Sequence, residues 1–143
     1  MTPEKIFNLI QSDNETPELS FNNEFLLCKI VDIYDGDTVK VVFYLEDILY
    51  KWNVRLFGIN TPEMRPSRLI PNRKSIKERA IKSRDYLSSL FQKKNNLVYI
   101  KCGDFGKYGR LLGTFFLEKD SEDFHNSINN TMIIDGYAKK YII

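Results

Sequence analysis

Three short apolar runs crowded into residues 24–59 constrain this chain more than any other feature. They read EFLLCKIVDIY, TVKVVFYL and ILYKWNVRLFGI, and only the polar joints DGD and ED part them. In the third run Tyr50, Trp52, Val54 and Leu56 alternate with Lys51, Asn53 and Arg55. A period of two belongs to a strand with one buried face, so the aromatic and aliphatic set is expected on the core side and Arg55 on the other. The joint at Asp35-Gly36-Asp37 reads as a hairpin tip, because Asp and Gly both tolerate positive φ.

The period then changes. In SIKERAIKSRDYLSSLFQKK, Ile76, Ala80, Ser83, Leu87 and Leu90 fall on one stripe with most cations outside it, which predicts an amphipathic helix. Two more strand-like runs follow, NLVYIKC and RLLGTFFLE, and then a shorter helical stretch, NSINNTMIID, closed by Gly136. The order β-β-β-α-β-β-α predicts an α+β, mainly β, domain: a five-stranded Greek-key barrel of the oligonucleotide-binding (OB) type. At the N-terminus TPEKIFNLIQ predicts a short helix with Thr2 as cap and Pro3 in its first turn. The polar stretch after it separates an extension, residues 1–22, from the domain, residues 23–143.

A chain of 143 residues with 43% hydrophobic content suits one folded domain. No apolar run approaches the length of about 20 residues that a membrane helix needs. MTPEKIFNLIQSDNE has neither a basic leader nor a long apolar stretch, so no membrane association and an intracellular, cytoplasmic site are expected. Cys28 and Cys102 form no C-x-x-C pair and are read as buried thiols in a reducing compartment. A monomer is expected.

The net charge of +2 hides an asymmetry. Residues 64–95 hold ten cations against Glu78 and Asp85, whereas residues 1–47 hold ten acids against Lys5, Lys29 and Lys40. A cationic stretch of this kind attracts polyanions, although a basic helix is also simply a well-solvated one.

Four polar clusters interrupt the apolar pattern: Asp35/Asp37, Arg55, the turn NTPE at Asn60–Glu63, and GKYGR ending at Arg110. Each alone has an ordinary reading as a turn or a solvent-facing residue. Together they contain what phosphodiester hydrolysis asks for: a carboxylate to activate water, oxygen donors for a hard cation, and guanidinium forks for phosphate oxygens. A mechanism built on a histidine pair is excluded, because His125 is the only histidine, and its polar loop SEDFHNS points to the surface.

The segments IVDIYDGDTVKV, VRLFGINTPE, GKYGRLLGTFF and MIIDGYAKKY, in that order and spacing, make residues 25–141 resemble the staphylococcal nuclease (thermonuclease-like) family. The resemblance implies a five-stranded OB barrel with about three helices, the third expected as a turn near the end of the chain. It implies a calcium-dependent endonuclease acting on single-stranded or denatured DNA and RNA with little sequence specificity, leaving 3′-phosphate ends. By position, Asp37 matches the principal metal-ligating aspartate, Thr61 the residue whose carbonyl joins it, and Asp35 the supporting carboxylate. Glu63 matches the glutamate that activates water. Arg55 and Arg110 match the arginines that bind phosphate and stabilise the transition state. Lys107 and Tyr108 match the pair that contacts a terminal phosphate and its nucleotide. The loop MRPSRLIPNRKS matches a mobile segment flanking the site.

Two departures stand out. Asn60 occupies the place of a metal-ligating aspartate, and an amide oxygen coordinates without contributing charge, so weaker metal affinity or a changed metal preference is expected. The chain ends YAKKYII, leaving Tyr137 or Tyr141 to replace the family's base-stacking tyrosines. Asn60 also keeps open the alternative of a catalytically weak or inactive member that binds nucleic acid or protein. An OB barrel with an unrelated ligand is the blander alternative.

Overall fold

Strands of this length close on themselves only if each is hydrogen-bonded on both sides, and that is what the computed structural model shows over the described residues 1–141. Strand β1 (Phe25–Asp35) pairs antiparallel with β2 (Thr38–Leu45), and β2 pairs antiparallel with β3 (Ile48–Leu56). After the two-residue strand β4 (Ile59–Asn60) and helix α2 (Arg73–Gln92), β5 (Leu97–Phe105) pairs antiparallel with both β1 and β6 (Leu111–Phe116). A parallel contact between β3 and β6 shuts the barrel in the order β1-β2-β3-β6-β5. Helix α1 (Pro3–Gln11) precedes the barrel, and α3 (Ile128–Ile134) follows it. The two-residue strand β7 (Lys139–Lys140) then pairs antiparallel with β4.

The barrel interior is filled by alternate residues of these strands: Val39, Val41 and Phe43, then Val54 and Leu56, then Val98 and Ile100. Each such aliphatic side chain contributes about 1.5–3 kcal/mol by leaving water. The period-two reading of β3 holds for Val54 and Leu56, but Tyr50 is exposed, because β2 and β3 extend past the barrel body as a hairpin. Helix α2 covers the barrel with Ala80, Ser83, Leu87 and Leu90, as its spacing predicts, and also with Phe91, while Ile76 of the same expected stripe is only half-buried. Phe21 enters the core edge-on to Phe43 and Trp52 at centroid distances of 5.5 and 4.9 Å. Helix α1 has the Thr2 cap, which accepts from Lys5 N at 3.2 Å, yet it buries none of its side chains.

Several local expectations need correction. The β1–β2 turn is not built on positive φ. The hairpin with two left-handed residues is the next one, at Glu46 (φ 49°) and Asp47 (φ 67°). Gly36 is required instead by close approach: a Cβ there would lie 2.8 Å from Thr61 Cγ2 and 2.9 Å from Ser83 Cβ. Arg73 belongs to α2 and not to the preceding loop. The helical turn expected near the chain end is not found among the described residues, where Lys139 and Lys140 form a strand; α1 brings the helices to three. Residues 142 and 143 lie outside the described region. Among the described residues, no helix is long and apolar enough to cross a membrane.

Candidate active site

The barrel brings the β1–β2 turn, the end of β3, the β4 segment and the start of β6 to one rim. There Tyr34, Asp35, Asp37, Thr38, Arg55, Asn60, Thr61, Glu63, Met64, Arg65 and Arg110 line a cavity of about 340 Å³. Seven of the nine residues singled out from the sequence are in that lining; Lys107 and Tyr108 are not.

Asp37 sits at the centre. Its backbone N donates to Asp35 Oδ1 (3.1 Å), its Oδ2 accepts from Thr61 N (3.1 Å), and its Oδ1 accepts from the Thr38 hydroxyl (3.1 Å). Gly36 makes this geometry available, since only a residue without a side chain lets the turn rest on Thr61 and α2. Both aspartates are buried. Burial first, and then the charge of Asp37, push the Asp35 carboxyl up to about 7, with Arg55 acting in the opposite direction.

Arg55 is clasped. Nη1 lies 3.3 Å from Asp37 Oδ2 and donates to Leu56 O (3.1 Å), while Nη2 donates to Asn60 Oδ1 (3.3 Å). Arg110 is held far more loosely. Nη1 reaches Thr38 Oγ1 at 3.5 Å, and Nε is buried with no hydrogen-bond partner among the described residues. Cross-strand register puts Arg55 opposite Thr38 on one side and Leu112 on the other, and Arg110 lies two residues before Leu112. Upstream of Arg110 the chain turns through Tyr108 (φ 64°) and Gly109 (φ 72°), and Gly106 N donates to Arg110 O at 2.7 Å. The left-handed conformation is easy for Gly109 and unfavourable for Tyr108, an unusual backbone position beside a candidate site residue. Tyr108 is exposed, with its ring centroid 5.9 Å from Arg110 Cζ, and Lys107 is exposed on the same turn.

Glu63 is exposed at the cavity wall and makes no ion pair or side-chain hydrogen bond among the described residues. Of the two candidate tyrosines, Tyr141 is at this site: its N donates to Gly58 O (2.9 Å) and Arg55 Cζ lies 5.9 Å from its ring centroid. Tyr137 instead stacks on Tyr86 at 4.2 Å. His125 is exposed in a 3₁₀ turn away from the cavity.

Sequence reasoning missed Thr38, whose hydroxyl links Asp37 to Arg110; its place directly after the two aspartates was the available signal. It also missed Asn129, fully buried, whose Oδ1 accepts from Phe115 N (3.0 Å) and whose Nδ2 donates to Phe57 O (2.9 Å) and Gly113 O (3.0 Å). That amide pins α3 to both arginine-bearing segments, and nothing in NSINNTM announces it.

The oxygen donors of the cavity are two buried aspartates, the Asn60 amide, Glu63, and Thr61, whose buried Oγ1 has no partner among the described residues; the Met64 thioether lines it as well. These oxygens fit a hard cation such as calcium or magnesium. Among the described residues no three His, Cys, Asp or Glu side chains converge into a cage, so such an ion would be held on few charges.

This is the rim site of an OB-type barrel with an acid–arginine cavity. Residues 53–143 match the family described as staphylococcal nuclease homologue, and the chain belongs to that family. The match includes Arg55, Asn60, Thr61, Glu63 and Arg110, while Asp35 and Asp37 precede it. The chain is also similar to "Uncharacterized protein MJ1439" of Methanocaldococcus jannaschii, at 28% identity over 127 residues. The similarity covers 80% of this chain and 58% of that relative, so the chain spans little more than half of the relative's length.

Proposed function

We propose that the protein hydrolyses phosphodiester bonds of single-stranded or denatured DNA and RNA, with little sequence preference and with dependence on a hard divalent cation, calcium being the expected one. The observation that carries this reading is Arg110: a guanidinium in a cavity with three carboxylates which, among the described residues, has no carboxylate partner of its own and a buried N–H left unsatisfied. A buried unpaired donor costs about 1–3 kcal/mol, and a phosphate oxygen is the acceptor whose shape matches the fork.

In mechanism, Glu63 accepts a proton from water, whose oxygen attacks phosphorus in line while the opposite ester bond breaks. Arg110 donates to the non-bridging oxygens as charge grows on them, and Arg55 supports it from the parallel strand. Thr38 keeps Arg110 oriented through the hydroxyl it also offers to Asp37. Asp37, the Asn60 amide and Thr61 would hold the cation, which when bound neutralises phosphate charge. Exposed aromatic rings at the rim, Tyr108 and Tyr141, give bases faces on which to stack without reading their edges.

A second reading, a family member that binds without cutting, is favoured by one observation: Asn60 supplies no charge to the cation site. The test compares wild type, Glu63→Gln and Asn60→Asp on denatured DNA, with calcium and with a chelator. Cation-dependent cleavage that falls by at least about 100-fold in Glu63→Gln supports hydrolysis. Binding without cleavage at every cation concentration supports the second reading.

A further inference from the structure

Beyond Asn60 and Thr61, on the side away from Asp37, lies a second and larger cavity, about 440 Å³. It shares those two residues with the reaction cavity and is otherwise lined by Pro62, by the α2 residues Ile76, Arg79, Lys82 and Ser83, and by the segment Gly136–Lys139. Its charge is of one sign: Arg79, Lys82 and Lys139 contribute cations, and no acid lines it. None of the three makes an ion pair among the described residues, whereas Lys94 and Lys101 are paired with Glu118 and Glu122. The Ser83 hydroxyl is already engaged, donating to Tyr137 O at 2.7 Å. The floor between the cations is apolar, formed by Pro62, Ile76 and Ala138, beside a Tyr137 ring fixed in place by its stack on Tyr86. On the wall the two cavities share, the buried Thr61 Oγ1 has no partner.

We propose that this cavity is an extension subsite for the nucleic-acid strand, holding the nucleotides next to the scissile phosphate; the inference rests on the hydrolase reading of the neighbouring site. Cations spaced around an apolar floor match a single strand, which presents backbone phosphates and base or sugar faces together. An acidic peptide would satisfy the cations but leave the apolar floor uncovered. The consequence is a length requirement: substrates long enough to pass from one cavity into the other bind more tightly than a dinucleotide that fills the first alone.

The test uses the full chain carrying Arg79→Glu and Lys82→Glu, both at exposed helix positions, against a control with Lys93→Glu and Lys119→Glu, exposed positions that make the same change in net charge and line neither cavity. Affinity for a labelled single strand of about twelve nucleotides is read by anisotropy across a salt series. Cleavage of that strand and of a dinucleotide is measured in parallel. The Arg79/Lys82 variant is expected to lose at least about tenfold in affinity for the long strand and to show a salt slope shallower by about 1.4, from two lost contacts at 0.7 each. Its dinucleotide cleavage stays within about twofold of wild type, since no group on the reacting phosphate has changed. Equal losses in the two variants would overturn the subsite, because bulk charge would then explain the binding. So would displacement of the strand by polyglutamate as effective as that by unlabelled DNA. A wild type that cleaves neither substrate but still binds the long strand through Arg79 and Lys82 would overturn hydrolysis and leave the strand-binding cavity supported.

Discussion

Two buried polar clusters in this barrel are built on opposite principles. Around Asn129 every side-chain polar atom is used: one acceptor and two donors meet three backbone groups from β6 and the segment after β3. Around Asp37 the accounts are left open. Among the described residues three buried side-chain polar atoms lack a partner, and two of them, Thr61 Oγ1 and Arg110 Nε, belong to the candidate active site. A satisfied network stabilises and specifies the fold, whereas an unsatisfied one costs stability and waits for a ligand. The contrast separates residues that hold the barrel shut from the rim residues proposed to act on substrate.

Substitutions can break that contrast at either end. The largest effect is expected from Arg110→Ala: cleavage falls by about 100–1000-fold, or roughly 3–4 kcal/mol. Removing the guanidinium relieves its unmet donor but gives up its packing and its contact with Thr38, so stability stays within about 1 kcal/mol of wild type, checked by denaturant unfolding beside the activity assay. Asn129→Ala should do the reverse. It strands three backbone groups and lowers stability by about 3 kcal/mol, with activity per folded molecule unchanged in an assay run well below the melting temperature.

Gly36→Ala probes the place where fold and site meet. Its Cβ has no room against Thr61 and Ser83, so stability falls by about 2 kcal/mol and cleavage falls with it, as unfolding curves and initial rates on one preparation would show. The smallest change is expected from Asn60→Asp. It adds one charge to the donor set and tightens calcium binding by about tenfold, or roughly 1.4 kcal/mol, read by calcium titration of cleavage or by calorimetry. No change there would mean that the Asn60 side chain serves only Arg55, from which it accepts, and not the cation.

Much of the barrel was legible because its strands announce themselves locally. Val54 and Leu56 point inward and Arg55 outward, as the alternation required, and the Ala80–Ser83–Leu87–Leu90 stripe is the face that α2 buries. Tyr50 broke the pattern because β3 outruns the core it packs against. The Gly36 turn was located correctly and explained wrongly: the sequence shows a glycine, but its neighbours Thr61 and Ser83 come from distant parts of the chain. Thr38 was overlooked for a related reason. Its hydroxyl donates to the neighbouring Asp37, but the second partner that makes it a link, Arg110, lies seventy-two positions away in the chain. Tyr141 could not be preferred over Tyr137 until β7 was seen pairing with β4, which carries Tyr141 to Gly58 and Arg55 while Tyr137 turns toward Tyr86.

By itself the sequence determined which segments are strands and helices and which residue types are available for chemistry at their ends, because hydrophobic period and turn composition act over a few neighbouring residues. Tertiary structure alone decided which of those polar groups are paired off and which stay open. That outcome depends on register across the barrel, on the parallel contact of β3 with β6, and on two cavities meeting at Asn60 and Thr61. Hydrogen-bond satisfaction is a property of positions in space, and here the partners are tens of residues apart along the chain.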